Sequence, residues 1–252
     1  MSEVSRPPGR AAKVIAFENV SKIFNQRTVL DRVSFSIASG EAVCILGRSG
    51  TGKSVMLKLM IGLMKADSGK VLVEGEDMTV LTEQGLSRVR RKMGYMFQNA
   101  ALFDSFTLHD NLGMPLWRLD KMKSELEIEA SIQESLRQVG LEKDGHKMPN
   151  ELSGGMLKRA GLARALVLKP QILLADEPAS GLDRITSSEI TDLLVKVKAE
   201  RHTTMIIVTH EIEGARRIAD RFAVLDRGKL IGLGTPDELA HNDNEVVKRL
   251  VG

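Results

Sequence analysis

Lys53 and Ser54 follow glycines at positions 47, 50 and 52, a spacing that suits the holding of phosphate. The segment Gly47-Arg48-Ser49-Gly50-Thr51-Gly52-Lys53-Ser54 fits G-x-x-x-x-G-K-[ST], the phosphate-binding P-loop. Its glycines let the backbone turn sharply and bring N–H groups close to an anion. A helix opening at the end of such a loop adds partial positive charge. Lys53 is expected to reach the β- and γ-phosphates of a nucleotide, and the Ser54 hydroxyl to ligate Mg²⁺. Two carboxylates, Asp176 and Glu177, end the apolar run Ile172–Ala175. Asp176 is placed to hold the Mg²⁺ hydration shell, and Glu177 to orient and deprotonate an attacking water. Phosphoryl transfer depends mainly on positioning and charge stabilisation, so few side chains suffice.

The elements that must position these residues can be read from hydrophobic pattern. Before the loop, Glu41–Leu46 is a short apolar run suited to a buried strand. After it, Met56, Leu57, Met60, Ile61 and Met64 recur as one helix face over Lys53–Met64. The runs at 172–175 and 205–209 read as further buried strands. Strands alternating with helices imply an α/β fold with a parallel core sheet. Gly69–Gly75 reads as a strand entering a turn. Between about 100 and 165 the chain reads mainly as helix. There Ile128, Ile132, Leu136 and Val139 mark one apolar face, closed by Gly140. Ser153 is suited to cap a helix over Gly154–Val167, which leaves the N–H groups of Gly154 and Gly155 at its positive end. Thr235-Pro236-Asp237-Glu238 reads as the cap and acidic first turn of a final helix.

Leu152-Ser153-Gly154-Gly155 resembles the signature motif of ABC-type ATPases, and the family's other marks follow in order over roughly residues 14 to 240. Phe24 matches the aromatic that stacks on adenine, and Gln98 the glutamine that contacts Mg²⁺ and the attacking water. Ser180-Gly181-Leu182-Asp183 matches the D-loop, and His210, after Met205–Thr209, matches the switch histidine. The resemblance implies a P-loop NTPase fold of the ABC type, with an antiparallel β-subdomain (Val14–Phe17, Ser34–Ile37 and 69–75) and a helical subdomain inserted at about 100–165. It implies ATP and Mg²⁺ as cofactors, and hydrolysis of ATP to ADP and phosphate. It also implies a head-to-tail homodimer in which Ser153, Gly155 and Asp183 serve the nucleotide held by the partner's loop. Closure would be favoured by ATP and released by hydrolysis. Two positions depart from the common family pattern. Met156 stands where Gln is usual, and Val55 where Thr is usual; at Val55 only a backbone N–H remains for the α-phosphate.

These departures are similar to those of the ATP-binding subunits of Mce-type lipid transporters, including the maintenance-of-lipid-asymmetry branch. The segment Gln98–Phe103, then Asp110-Asn111-Leu112 and Pro115-Leu116, and the ending Asn244–Gly252 are similar too. That resemblance implies a cytoplasmic-face, peripheral ATPase of the bacterial inner membrane. Its partners would be an integral membrane permease, a periplasmic Mce-domain protein and a STAS-domain protein. The stretch after Gln98 would meet the permease. From the residues alone, at least some of Phe103, Phe106 and Leu108 are expected to form a packed core turn, and an exposed apolar patch for a partner is the alternative. Two other readings stand beside lipid transport. One is the ATPase of an importer for amino acids or another small solute, or of a cell-division complex. The other is a non-transport ABC ATPase acting on DNA, chromosomes or ribosomes. Met156 and the segment after Gln98 weigh against the first. A single P-loop without a sustained heptad run weighs against the second.

Bulk composition agrees with a folded ATPase. A chain of 252 residues with 42% hydrophobic content can build a proper core. It has no apolar run of about 18 residues, the length a transmembrane helix needs. Residues 1–12 lack the apolar centre of a secretory signal and read as a disordered tail. Residues 13–240 are assigned to the ATPase domain and 241–252 to a C-terminal extension. A formal charge of +3 gives no argument for nucleic acid as a partner. The five histidines lack metal-ligand spacing, and the single cysteine, Cys44, excludes an intrachain disulfide, fits a reducing cytosol and reads as inert packing.

Overall fold

The computed structural model describes residues 12–119 and 124–251; the expected tail therefore lies, apart from Ala12, outside the described residues. The central sheet has six strands in the order β10-β9-β3-β8-β7-β6. Five of them run parallel: β3 (Ala42–Leu46), β6 (Met93–Met96), β7 (Ile172–Asp176), β8 (Thr204–Val208) and β9 (Arg221–Asp226). The edge strand β10 (Lys229–Gly234) is antiparallel to β9. Every residue of β3, β6, β7 and β8 is buried, as expected of strands covered on both faces. Cys44 sits inside β3, and burial pushes its thiol pKa up to about 12, so it remains a protonated packing group.

A second, antiparallel sheet has the order β2-β1-β4-β5, built from β1 (Lys13–Phe24), β2 (Arg27–Ala38), β4 (Ser68–Val73) and the short β5 (Glu76–Asp77). The expected short segments at 14–17 and 34–37 lie inside two 12-residue strands. One apolar cluster joins this sheet to the central one through α1 (Lys53–Met60) and α2 (Glu83–Arg90). A second cluster covers the opposite face. It draws on α5 (Gly154–Leu166), α6 (Arg184–Arg201), α7 (Ile212–Ile218), α8 (Pro236–Ala240) and α9 (Glu245–Val251). Val247 and Val251 of α9 are fully buried there, so the expected extension packs against the central sheet. Thr235 caps α8 as its sequence implies, accepting the Glu238 N–H at 3.2 Å.

A third cluster lies between α3 (Leu108–Leu119), α4 (Glu125–Gln138) and α5, all inserted between the neighbouring strands β6 and β7. Ile128, Ile132, Leu136 and Val139 fill it as their spacing implies. Regular helix begins at Leu108, later than expected; the chain from Gln98 to Thr107 is a series of turns. Leu108 is fully buried, whereas Phe103 and Phe106 are exposed and pack edge to face with centroids 5.8 Å apart. The first helix also differs from expectation, stopping at Met60 rather than Met64. Gly62 takes φ 70° and turns the chain left-handed, with the Leu63 N–H donating to the Lys58 carbonyl at 2.9 Å, so the apolar residues Ile61 and Met64 pack from a turn. Among the described residues no helix is long and apolar enough to cross a membrane.

Candidate active site

Sheet register brings the chemistry together. Ile45 of β3 pairs with Val208 of β8, Val208 with Asp176 of β7, and Ala175 with Met96 of β6. The C-terminal ends of four adjacent strands therefore emerge side by side, and each is followed by an expected site residue. β3 leads to the phosphate loop, β6 to Gln98, β7 to Glu177, and β8 to His210. An open cleft of about 560 Å³ lies above them, lined among others by Ser49, Lys53, Ser54, Gln98, Glu177 and His210.

The loop reaches its shape through glycines that no other residue could replace without movement. Gly52 has φ 102°, and a Cβ there would meet the Val29 carbonyl at 2.9 Å. A Cβ at Gly47 would run into the Leu225 carbonyl. Gly50 also has positive φ but faces open space, so its need is conformational. Thr51 braces the turn by donating to the Arg48 carbonyl at 2.9 Å. No side chain caps the N-terminus of α1. Its first N–H groups are thus left for a ligand at the positive end of the helix. Gly50, Gly52 and Val55 line the cleft, and Val55 presents no hydroxyl there.

Lys53 is buried, and its ammonium donates to the carbonyls of Gly47 at 2.8 Å and Arg48 at 3.0 Å. Burial lowers its pKa, while the charges of Glu177 and Asp176 oppose that shift. The Ser54 hydroxyl donates to Asp176 Oδ1 at 2.8 Å. This pair brings two hard oxygen ligands together, and Gln98 lines the same cleft. Such a donor set fits Mg²⁺. Glu177 carries an unusual backbone for its type, with φ 50°. Its N–H donates to the Val208 carbonyl at 2.8 Å, and its side chain meets His210 Nδ1 at 2.7 Å.

Other expected residues lie elsewhere in the chain. Phe24 is exposed at the end of β1, with the Lys22 ammonium 5.2 Å from its ring centroid, and it does not line this cleft; Val29, which sequence reasoning missed, does. Ser153 caps α5 by accepting the Met156 N–H at 3.3 Å. Gly155 lets α5 approach α6: a Cβ there would meet Thr186 Cγ2 at 2.5 Å. Asp183 caps α6, accepting from the N–H groups of Ile185 and Thr186 at 3.0 Å each. Gly154, Gly181 and Leu182 line a second cleft with Gln98 and Lys158, separate from the phosphate loop. Within a single chain the phosphate loop and Gly154 of the Ser-Gly-Gly turn thus line two different clefts, with Gln98 bordering both.

Comparison with known proteins agrees with this geometry. The family model described as ABC transporter matches residues 30–180. A relative from Mycobacterium leprae, named "Probable ribonucleotide transport ATP-binding protein mkl", is 41% identical over 245 residues, covering 96% of this chain and 70% of the relative. Methionine import ATP-binding protein MetN 1 of Pseudomonas fluorescens is 38% identical over 243 residues, covering 94% and 72%. Among solved structures, a dimeric post-hydrolysis state of the ATP-binding cassette MJ0796 with ADP and Pi superposes with a TM-score of 0.81 at 33% identity, covering 88% of this chain and 98% of that one. CbiO1 of Clostridium perfringens, described as part of the cbiONQ transporter complex, gives a TM-score of 0.82 at 29% identity, with 94% coverage of each chain.

Proposed function

Because the chain belongs to the ABC transporter family and is an ATPase of that family, we propose that it powers movement of phospholipid or another hydrophobic substrate through a separate membrane permease. The observation that carries the catalytic part is the convergence of Lys53, the Ser54–Asp176 pair, Gln98, Glu177 and His210 on one cleft. In this reading Gly47–Val55 wrap the phosphates of ATP, Lys53 exchanges its two carbonyl partners for phosphate oxygens, and Phe24 stacks on the base. Ser54, Asp176 and Gln98 would hold Mg²⁺, which supplies charge neutralisation across the β- and γ-phosphates. Glu177 orients water and takes its proton. His210 Nδ1–H donates to Oε2, which leaves Oε1 to accept that proton. Residues 13–240 form the ATPase domain with helices inserted at about 100–165, and 241–252 extend it.

Separation of the Ser-Gly-Gly surface from the phosphate loop supports a head-to-tail homodimer. There Ser153, Gly155 and Asp183 of one copy complete the other copy's nucleotide site. The cassette MJ0796 is described as dimeric with ADP and Pi. The exposed Phe103–Phe106 pair supports a permease contact just after Gln98. In this reading the protein sits peripherally on the cytoplasmic face of a bacterial inner membrane. The lipid reading rests on Met156, Val55 and the segment after Gln98, which are similar to Mce-type lipid transport ATPases. Those similarities also motivate a periplasmic Mce-domain protein and a STAS-domain protein as partners. A second reading, import of a small solute, is favoured by relatives named for methionine import and ribonucleotide transport.

Mild solubilisation of membranes carrying the tagged chain, followed by mass spectrometry of what co-purifies, separates these readings. A permease with an Mce-domain protein and bound phospholipid supports lipid transport. A permease with a soluble amino-acid-binding protein replaces it with solute import. Recovery with DNA or ribosomes and no membrane subunit removes transport altogether.

A further inference from the structure

We infer that Lys158 is the positioning residue that holds Glu177 in its working conformation, by tying the Glu177–Ser180 turn to the Gln98 segment from within α5. The Lys158 side chain is buried, and its ammonium has three N–H donors. All three find acceptors: the Gln98 carbonyl at 2.6 Å, the Glu177 carbonyl at 3.0 Å and the Ser180 hydroxyl oxygen at 3.1 Å. The Gln98 carbonyl lies just after β6, Glu177 and Ser180 share the turn after β7, and none of the three belongs to α5. An interior ammonium with its hydrogen bonds filled is an exacting arrangement, because any partner that moves away leaves a buried donor unpaired.

The backbone of Glu177 shows what that arrangement maintains. A glutamate at φ 50° occupies a region that L-residues rarely hold unless the surroundings impose it. Here the surroundings act on both sides of the residue. The N–H is fixed by Val208 of β8, and the carbonyl is fixed by Lys158, with the Ser180 hydroxyl donating to the same oxygen at 3.0 Å. With the peptide groups on either side pinned, the Cα–Cβ direction is set toward the cleft, where the carboxylate meets His210.

The same face of α5 also holds the start of the Gln98 segment. Lys158, Gly161 and Arg164 recur every three residues. A Cβ at Gly161 would meet Ala100 Cβ at 2.9 Å, and Arg164 donates to the carbonyls of Ala101 at 2.5 Å and Ala100 at 3.2 Å. Ala100 and Ala101 both have positive φ, near 55° and 51°. Helix α5, whose first turn carries the Ser-Gly-Gly surface, thus clamps the turn after Gln98 and reaches Glu177 through one side chain. Movement of either the Gln98 turn or α5 is transmitted to Glu177 through Lys158.

This assignment rests on the reading of Glu177 as the residue that activates water. The test is steady-state ATP hydrolysis by the full chain, purified with its co-isolated membrane subunit, as wild type and as Lys158→Met, Lys158→Gln and Glu177→Gln. Lys158→Met is expected to lower kcat at least tenfold while KM for ATP changes less than twofold. Lys158→Gln, which retains two of the three donors, is expected to recover part of the loss, and it decides the matter if the Met variant fails to fold. Parental kcat in both Lys158 variants overturns the assignment. So does a fall in kcat and Tm together with a rise in KM in both, which marks a purely structural lysine. Parental turnover by Glu177→Gln removes the underlying reading of Glu177. An inactive Glu177→Gln beside fully active Lys158 variants removes the positioning role alone.

Discussion

His210 Nδ1 lies 2.7 Å from Glu177 Oε2, yet the histidine side chain is 69% exposed and the glutamate 14%. The glutamate is locked between strands β7 and β8, while the histidine that touches it stands mostly in solvent. A partner surface closing over this cleft would change the surroundings of His210 far more than those of Glu177. Glu177→Gln should therefore reduce turnover by about 10²–10⁴, the range for loss of a general base, while ATP-dependent dimerisation persists. Size-exclusion chromatography with and without ATP, alongside a phosphate-release assay, checks both halves. Near-native turnover would exclude the proposed role.

The Ser54–Asp176 contact predicts a dissection of nucleotide affinity. Ser54→Ala and Asp176→Asn each remove or weaken one oxygen ligand of the set. Calorimetric titration with ATP should show that both variants lose most of the affinity gained on adding Mg²⁺, while binding in EDTA changes little. A variant that retains the full Mg²⁺ increment would show that its residue lies outside the metal's coordination.

Gly155 and Thr186 form a steric pair. A methyl group at 155 would sit 2.5 Å from Thr186 Cγ2. Gly155→Ala should cost about 1–3 kcal/mol through overpacking, a fall in Tm of roughly 3–10 °C. Thr186→Ser deletes the clashing methyl and keeps the hydroxyl that donates to Asp183 at 2.7 Å. In the double variant most of the loss should be recovered. Additive losses in a thermal-unfolding cycle would show that the two side chains do not meet.

His109 predicts a pH-dependent clasp between α3 and α4. Its Nε2 is 2.7 Å from Glu129, and its Nδ1 is 3.4 Å from Asp110. Burial pulls its pKa down, but the hydrogen bonds and charges of Glu129 and Asp110 outweigh burial and raise it above 6.5. A raised folded-state pKa means the folded chain binds the proton more tightly than the unfolded chain does. The stabilisation is therefore complete below pH 6.5 and is lost as pH rises through the folded pKa. Glu129→Gln should lower Tm at pH 6 by on the order of 1–2 °C more than at pH 8. Equal effects at both pH values would show that the histidine charge is not involved.

The local chemistry was legible because it is written in adjacent residues. A phosphate loop is a backbone shape that needs glycine at fixed positions, so Gly47, Gly50 and Gly52 announce it without reference to the remainder of the chain. The apolar runs of β3, β7 and β8 announce buried strands for the same reason. Caps such as Ser153 and Thr235 are likewise local, since the bonded N–H lies three residues away. Sequence alone thus determined the phosphate loop, its flanking strand, the identity of the catalytic candidates and their order.

Tertiary structure decided what depends on partners distant in the chain. Lys158 sits in a helix beside Arg159 and near Arg164, and nothing in its neighbourhood distinguishes a surface lysine from a buried hub. Its role follows only when the parallel register of β6, β7 and β8 brings Gln98, Glu177 and Ser180 within reach of one ammonium. Gly155 reads locally as an exposed N–H, whereas its Cβ position is closed by Thr186 on another helix. Contacts across such separations leave no periodic trace in sequence, because the chain that makes them is brought together only by the sheet.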